Sequence, residues 1–224
     1  PKLAPLQIQY SDFAYWQRSH LNSDALAKQL AYWQTQLQDL PSIHNLPLDR
    51  ARPDKLSQQG ASYSLPLAGD LVIKLENIVQ DSQVSMYMLL HAALVLLISK
   101  LSNQRDVVIG CPIANRTNAQ TESLIGLFVN TLVLRTQIEH HSFADLLQHV
   151  RDVNLNAHAH QDVPFEQLVD FCKVPRTTSH TPLVQIILNM NNIGQRIDGM
   201  EGIEFAALDE HREKTKTDLN LGVV

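Results

Sequence analysis

Two histidines and an aspartate stand close together at His140, His141 and Asp145, a grouping that could act as a general base backed by a carboxylate. The same stretch has a plainer use. Ser142 and Asp145 make a capping-box-like start for a helix whose apolar face is Phe143, Leu146, Leu147 and Val150, and that pattern accounts for most of the residues unaided. His158, His160 and Asp162 form a second cluster of metal-ligand types. No further ligand stands at a familiar spacing, so a helix end and a polar turn before Pro164 is the expected role. Asp162 is then expected to cap the helix that Pro164 opens. Cys111 sits in the apolar run VVIGCPI with no neighbour in sequence that lowers its pKa, which makes it a buried structural thiol rather than a nucleophile. Arg116 follows that run. An arginine there is either a solvated loop residue or a bidentate clamp on a carboxylate, and the residues alone leave both open. There is no Walker loop, GxGxxG, GxSxG or HExxH.

The run IGLFVNTLVLR, Ile125 to Arg135, raises a different question. It reads as a buried strand, yet Asn130 and Thr131 interrupt it. A buried amide left without a partner costs about 1–3 kcal/mol. The local answer is a strand-end Asn satisfied by backbone groups.

The elements that position these residues follow from periodicity. Asp12–Arg18 and Ser23–Leu40 read as helices, the second with Ser23 as N-cap and Leu26, Leu30, Trp33, Leu37 and Leu40 at helical spacing. Pro41–Gly60 has three prolines, several charges and no period, so it reads as a linker across a surface. Ala61–Leu67 alternates as a short strand. Asp70–Asp81 reads as an amphipathic helix with Leu71, Leu75, Ile78 and Val79 on one face. Ser85 caps the apolar helix Met86–Lys100, and Asp106–Pro112 is a buried strand. Helices follow at Ser142–His160 and Pro164–Cys172, and strands at Leu183–Met190 and Ile203–Leu208. Strands alternating with helices argue for an α/β layered fold.

Composition removes several classes. The 224 residues are 44% hydrophobic and 18% charged, a globular balance. The net charge of -5 offers no basic face for nucleic acid. Two cysteines cannot build a disulfide framework, which fits a reducing, cytoplasmic compartment. The longest apolar stretch, Met86 to Ile98, falls well short of the roughly 20 residues that span a bilayer, so no membrane role is expected. The opening PKLAPLQIQY has neither Met nor an apolar leader, so it reads as a cut inside a longer polypeptide, and the strand-like ending TDLNLGVV reads the same way.

Several segments together resemble the later core motifs of nonribosomal peptide synthetase condensation domains, and in the same order. They are YSDFAYW (Tyr10–Trp16), IGLFVNTLVLR, HQDVPFEQLV (His160–Val169) and RTTSHTPL (Arg176–Leu183). NLPLDRARP (Asn45–Pro53), GCPIANR (Gly110–Arg116) and TKTDLNL (Thr215–Leu221) also look like landmarks of that family, and the resemblance covers nearly the whole chain. It implies an α/β, chloramphenicol acetyltransferase-like sandwich lobe with a mixed, mostly antiparallel sheet packed with helices. Two such lobes flank a tunnel in the family. The implied domain plan is the end of the N-terminal lobe over residues 1–45, a linker over 46–60 and the C-terminal lobe over 61–224.

The implied activity is amide bond formation between aminoacyl or peptidyl thioesters. Donor and acceptor carrier proteins bring these on phosphopantetheine, no cofactor is bound directly, and an adenylation domain is adjacent. The family's HHxxxDG motif is missing here, since Leu146 stands where the glycine belongs after His140, His141 and Asp145. The resemblance therefore implies that no catalytic residue lies in this chain and that it is inactive alone. It assigns supporting or tunnel roles to Arg116, which would hold the Asp of that motif, and to Asn130, Thr131, Asp162, Asn189, Arg176 and Ser179. The Asn130–Thr131 pair would then face a wet tunnel surface or fix a crossover between the two lobes. Thr177 and Thr181 depart from the family's last motif. Epimerization and heterocyclization domains, a stand-alone acyltransferase and a non-catalytic carrier-docking lobe are the alternatives.

Overall fold

The computed structural model of the chain describes residues 5–20, 24–139, 142–191 and 214–224. Among the described residues four strands form one sheet: β1 (Asp106–Ile113), β2 (Asn130–Gln137), β3 (Ile186–Met190) and β4 (Leu219–Val223), in the order β2-β1-β3-β4. β1 and β2 pair antiparallel from Asp106 opposite Gln137 to Ile113 opposite Asn130. β1–β3 and β3–β4 are parallel. The sheet is mixed, as expected, but two of its three pairings are parallel where mostly antiparallel pairing was expected. Chain order allows this, because parallel partners need a long connection and neither parallel pair is adjacent by a short turn: β2 and helices stand between β1 and β3, and 28 residues separate β3 from β4.

Among the described residues six helices accompany the sheet: α1 (Tyr10–His20), α2 (Asp24–Gln36), α3 (Gly69–Ser82), α4 (Met86–Ser102), α5 (Phe143–Ala159) and α6 (Phe165–Phe171). Two begin as the sequence indicates. The Ser85 hydroxyl accepts from the Met88 amide at 3.2 Å, and the Ser142 hydroxyl accepts from the Asp145 amide at 3.1 Å. The Ser142 hydroxyl also donates to the Asp145 carboxylate at 2.6 Å. Asp145 is thus occupied at a helix start, as the capping reading requires. Ser23 and the expected strand Ile203–Leu208 lie outside the described residues, as do His140 and His141.

The core assembles around β1 and β2. Leu94, Val95 and Ile98 of α4 pack on Val107, Ile109, Ile186 and Leu188. Leu26 and Trp33 of α2 and Leu37 just after it join Cys111, Leu132, Leu134 and Val153 in one buried cluster. The division expected near residue 45 is therefore not a division in packing, because α2 buries its apolar face in the same core as the sheet. Residues 41–60 are a strap rather than a free linker. His44, Arg52, Asp54, Leu56 and Gln58 are tied by hydrogen bonds to residues 178–179 and 215–218.

Gly110 sits where β3 meets β1, opposite Ile187. A Cβ there would lie 2.5 Å from Val184 Cγ1 and 2.7 Å from Ile187 Cδ1, so the close approach of β3 requires glycine. Two expectations fail. Ala61–Leu67 is not a strand: among the described residues it has no ladder, and Tyr63, Leu65 and Leu67 are exposed. On α3, Leu75 and Val79 pack inward while Leu71 and Ile78 remain exposed. Among the described residues no single helix is long and apolar enough to cross a membrane.

Candidate functional site

β2 begins at Asn130, five residues later than the apolar run suggested. Ile125, Leu127 and Val129 are 96%, 77% and 62% exposed, so this part of the run is an apolar loop and not a buried strand. Its framework is aromatic. Tyr10 lies edge-on to Phe128 at 5.4 Å between centroids, and Phe13 lies 4.6 Å from Phe128. The Tyr10 hydroxyl donates to the Leu127 carbonyl at 2.9 Å. Gly126 lies under the Tyr10 ring, which a Cβ would meet at 2.2 Å.

Asn130 is 7% exposed and fully bonded. Its Nδ2 donates to the Gln161 carbonyl at 3.0 Å and the Val163 carbonyl at 2.9 Å. Its Oδ1 accepts from the Thr131 amide at 2.9 Å and the Phe165 amide at 3.0 Å. An asparagine amide offers two donors and two acceptor positions, and all four are used. The wet-surface expectation is corrected at this residue, because the amide faces the backbone of residues 161–165. Aspartate lacks the donors, and serine lacks one of them.

The same segment is gripped from α2. The Trp33 indole N–H donates to the His160 carbonyl at 2.9 Å. Gln29 reaches Asp162 twice: its Nε2 donates to the carboxylate at 2.6 Å, and its Oε1 accepts from the Asp162 amide at 3.2 Å. His20 of α1 stands 3.7 Å from that carboxylate. Asp162 therefore does not cap α6, whose first turn follows Pro164 with no side-chain cap. A 133-residue separation between Gln29 and Asp162 kept this contact out of any local pattern. The His160 ring stacks on Tyr32 at 4.0 Å and 11°, and burial pushes the Tyr32 hydroxyl up to about 12. Residues 160–165 are thus a backbone segment held almost entirely by side chains from β2 and α2.

Arg116 is a clamp, on carbonyls. Its guanidinium donates to the Thr121 carbonyl and to the Leu124 carbonyl at 3.0 Å, and it lies 4.0 Å over the Phe128 ring. Among the described residues these partners include no carboxylate. The effect is to fold the loop after β1 onto the loop before β2. Beside it a cavity of about 420 Å³ is walled by Phe13, Trp16, Asn115, Asn118 and their neighbours.

The other expected residues lie apart from this centre. Arg176 pairs with Asp170 at 2.6 Å on an open surface. The Ser179 hydroxyl lies 3.0 Å from His180 Nδ1, and its carbonyl accepts from Arg52 at 3.4 Å. Asn189 is half-buried on β3 opposite Gly222, and Thr131 is half-buried beside Asn130. Cys111 and Cys172 are free thiols that burial pushes up, so neither is activated. Burial lowers His158, and no group of three metal-ligating side chains occurs among the described residues.

One cluster was legible only in pieces. Arg52 forks onto Asp218 at 3.0 and 2.5 Å, and His44 Nε2 lies 2.8 Å from the same carboxylate. Burial alone would raise the Asp218 pKa, but the hydrogen bonds and charges of Arg52 and His44 outweigh it and hold it low. The landmark stretches NLPLDRARP and TKTDLNL meet through this contact.

A family model described as Condensation domain matches residues 1–224. The chain is 40% identical to one of the linear gramicidin synthase proteins of Brevibacillus parabrevis over 224 residues, 99% of this chain and 4% of that protein. It superposes on the X-domain in the complex of the X-domain and OxyB from teicoplanin biosynthesis with a TM-score of 0.87, at 25% identity, covering 98% of this chain and 49% of that one. Against holo-AB3403, a four-domain nonribosomal peptide synthetase bound to AMP and glycine, the TM-score is 0.81 at 26% identity, over 87% of this chain and 15% of that one. The chain spans a few per cent of the curated relative and about half of the X-domain chain. The fold is the chloramphenicol acetyltransferase-like α/β sandwich.

Proposed function

The chain belongs to the condensation-domain family, and from that premise we propose that it is the C-terminal lobe of an amide-forming domain in a nonribosomal peptide synthetase. The whole-chain family match carries this reading. In it, the acceptor amine of one carrier-bound aminoacyl thioester attacks the donor thioester of another. The new C–N bond forms, the C–S bond breaks, and the donor carrier's pantetheine leaves as a thiol. No cofactor takes part; the substrates ride on phosphopantetheine.

The lobe's own share is positioning. Holding reactants in line is worth about 7 kcal/mol or more when geometry is good. The Asn130-bonded segment and the Arg116-folded loop are rigid supports of that kind, because their backbone groups are already bonded. The HHxxxDG histidine is supplied by the partner lobe. Asp145 and Leu146 cannot stand in for that motif, since Asp145 is bonded at the start of α5 and Leu146 is buried. The isolated chain is accordingly inactive. Arg116, Asn130, Thr131, Asp162, Asn189, Arg176 and Ser179 act as supports or lining and not as proton acceptors. Carrier proteins and an adjacent adenylation domain are the partners, in the cytoplasm.

A second reading, a docking lobe without turnover, is favoured by one observation: the superposition on the X-domain, whose structure is of a complex with OxyB. Incubating the full-length protein with two loaded carrier proteins separates the two. A dipeptidyl carrier detected by mass spectrometry supports the first reading, and carrier binding without product supports the second.

A further inference from the structure

Arg135 ends the run IGLFVNTLVLR, and no role described so far falls to it. Its side chain is 11% exposed, too buried for a charge to stand without partners. It lies opposite Val108 on β1 and reaches diagonally to Asp106. Its Nε lies 3.0 and 3.1 Å from the two carboxylate oxygens, and its Nη2 donates to one of them at 2.6 Å. Nη1 turns the other way, to where α2 ends. It donates to the Gln36 carbonyl at 3.1 Å and to the Gln38 carbonyl at 2.7 Å. The Gln36 side chain in turn donates to the Arg135 carbonyl at 3.2 Å. The last carbonyls of a helix have no partner within it and favour a cation, and α2 carries no basic residue in its last turn. Arg135 supplies that cation from the sheet. The end it holds belongs to the face of α2 that grips the clamped segment. Gln29, Trp33 and Gln36 are spaced i, i+4 and i+7, which is one face of a helix. Gln29 bonds Asp162, and Trp33 bonds the His160 carbonyl. Gln36 follows Gln29 by about 10 Å along the axis.

We propose that Arg135 is a positioning residue for amide formation: by joining Asp106 to the end of α2, it sets where Gln29 and Trp33 hold residues 160–162. This rests on the amide-forming reading above. The planar fork is what the role requires, because a lysine ammonium is a point charge that does not serve a carboxylate and two carbonyls on opposite sides at once. A misplacement of about 1 Å costs up to roughly a hundredfold in rate.

The test uses the full-length protein and two loaded carrier proteins. Arg135→Lys keeps a charge beside Asp106 and loses the reach to Gln36 and Gln38. Its kcat falls roughly ten- to a hundredfold, with KM for the loaded acceptor carrier unchanged. In a Gln29→Ala background the same substitution costs less, because both act on one segment, whereas a general loss of stability would leave the two effects independent. Arg135→Ala frees space at a cavity of about 620 Å³ lined by Arg135, Gln36 and Gln38. Ethylguanidinium, the missing part of the side chain, restores kcat in that variant, and ethylammonium, equal in charge, does not. Hydrogen exchange reads the position without turnover: the Asp162 amide, which donates to Gln29, loses protection in Arg135→Lys. An unchanged kcat in Arg135→Lys overturns the proposal, as do losses that simply multiply with Gln29→Ala or an Asp162 amide that keeps its protection. A wild type that forms no amide bond refutes the catalytic reading, and exchange at Asp162 then decides the Arg135 contact by itself.

Discussion

Replacing Asn130 with alanine removes four hydrogen bonds at once. All four are between 2.9 and 3.0 Å; three join β2 to residues 161–165 and the fourth is from the neighbouring Thr131 amide. Each is worth about 1 kcal/mol net, and the stranded groups regain some water, so the expected loss is about 3 kcal/mol. Asn130→Asp keeps the acceptor side but turns an anionic oxygen towards the Gln161 and Val163 carbonyls. It therefore costs at least as much as alanine at neutral pH. Below the aspartate's pKa, protonation restores one donor and narrows the gap. Urea denaturation gives the free energies, and amide hydrogen exchange locates the effect. The Thr131 and Phe165 amides, which donate to Asn130 Oδ1, lose protection in Asn130→Ala, while those of β1 keep theirs. A cost below about 1 kcal/mol, or unchanged exchange at Phe165, refutes the claim that this amide organises the segment.

Three further outcomes follow from the packing. His91, buried between α4 and α5 and 2.9 Å from Asn154 Nδ2, has its pKa lowered to about 3 by burial and secondarily by His149. The unfolded chain takes up this proton below about 6.5 and the folded chain only near 3, so stability is lost as pH falls through that window. His91→Gln flattens the loss by a few kcal/mol, at about 1.4 per pH unit, as read from urea midpoints against pH. Asp218→Asn breaks the fork from Arg52 and costs about 2 kcal/mol at pH 7, and the difference from wild type shrinks as pH falls through the depressed Asp218 pKa. Gly110→Ala pushes a methyl into Val184 and Ile187 and costs about 1–3 kcal/mol in thermal or urea unfolding, while Gly69→Ala, which meets nothing within 4 Å, serves as the control.

What was legible in the sequence was whatever depends on near neighbours. Ser85 and Ser142 caps, the apolar helix α4 and strand β1 all follow from patterns a few residues long. Asn130 was legible in its local form, a strand-end amide satisfied by backbone, although three of its four partners lie 31 to 35 residues away. The failures have a common cause. Ile125–Val129 and Ala61–Leu67 have strand-like composition, but a strand also needs a ladder partner, and periodicity does not report one. Asp162 looked like a helix cap because Pro164 is near; Gln29 is distant in sequence and adjacent in space. Arg52 and Asp218 each lay in a noticeable stretch, yet nothing local joins residues 166 apart. The tunnel roles came from family resemblance alone, and the structure assigns Arg116 to carbonyl groups of its own loop.

This lobe is proposed to support amide formation and not to perform it alone. The direct measurement is mass spectrometry of the acceptor carrier after incubation with a loaded donor carrier, using the isolated 224-residue chain and the full-length protein side by side. A dipeptidyl carrier is expected with the full-length protein and none with the isolated chain. Product from the isolated chain, or none from the full-length protein across carriers that bind it, would contradict it.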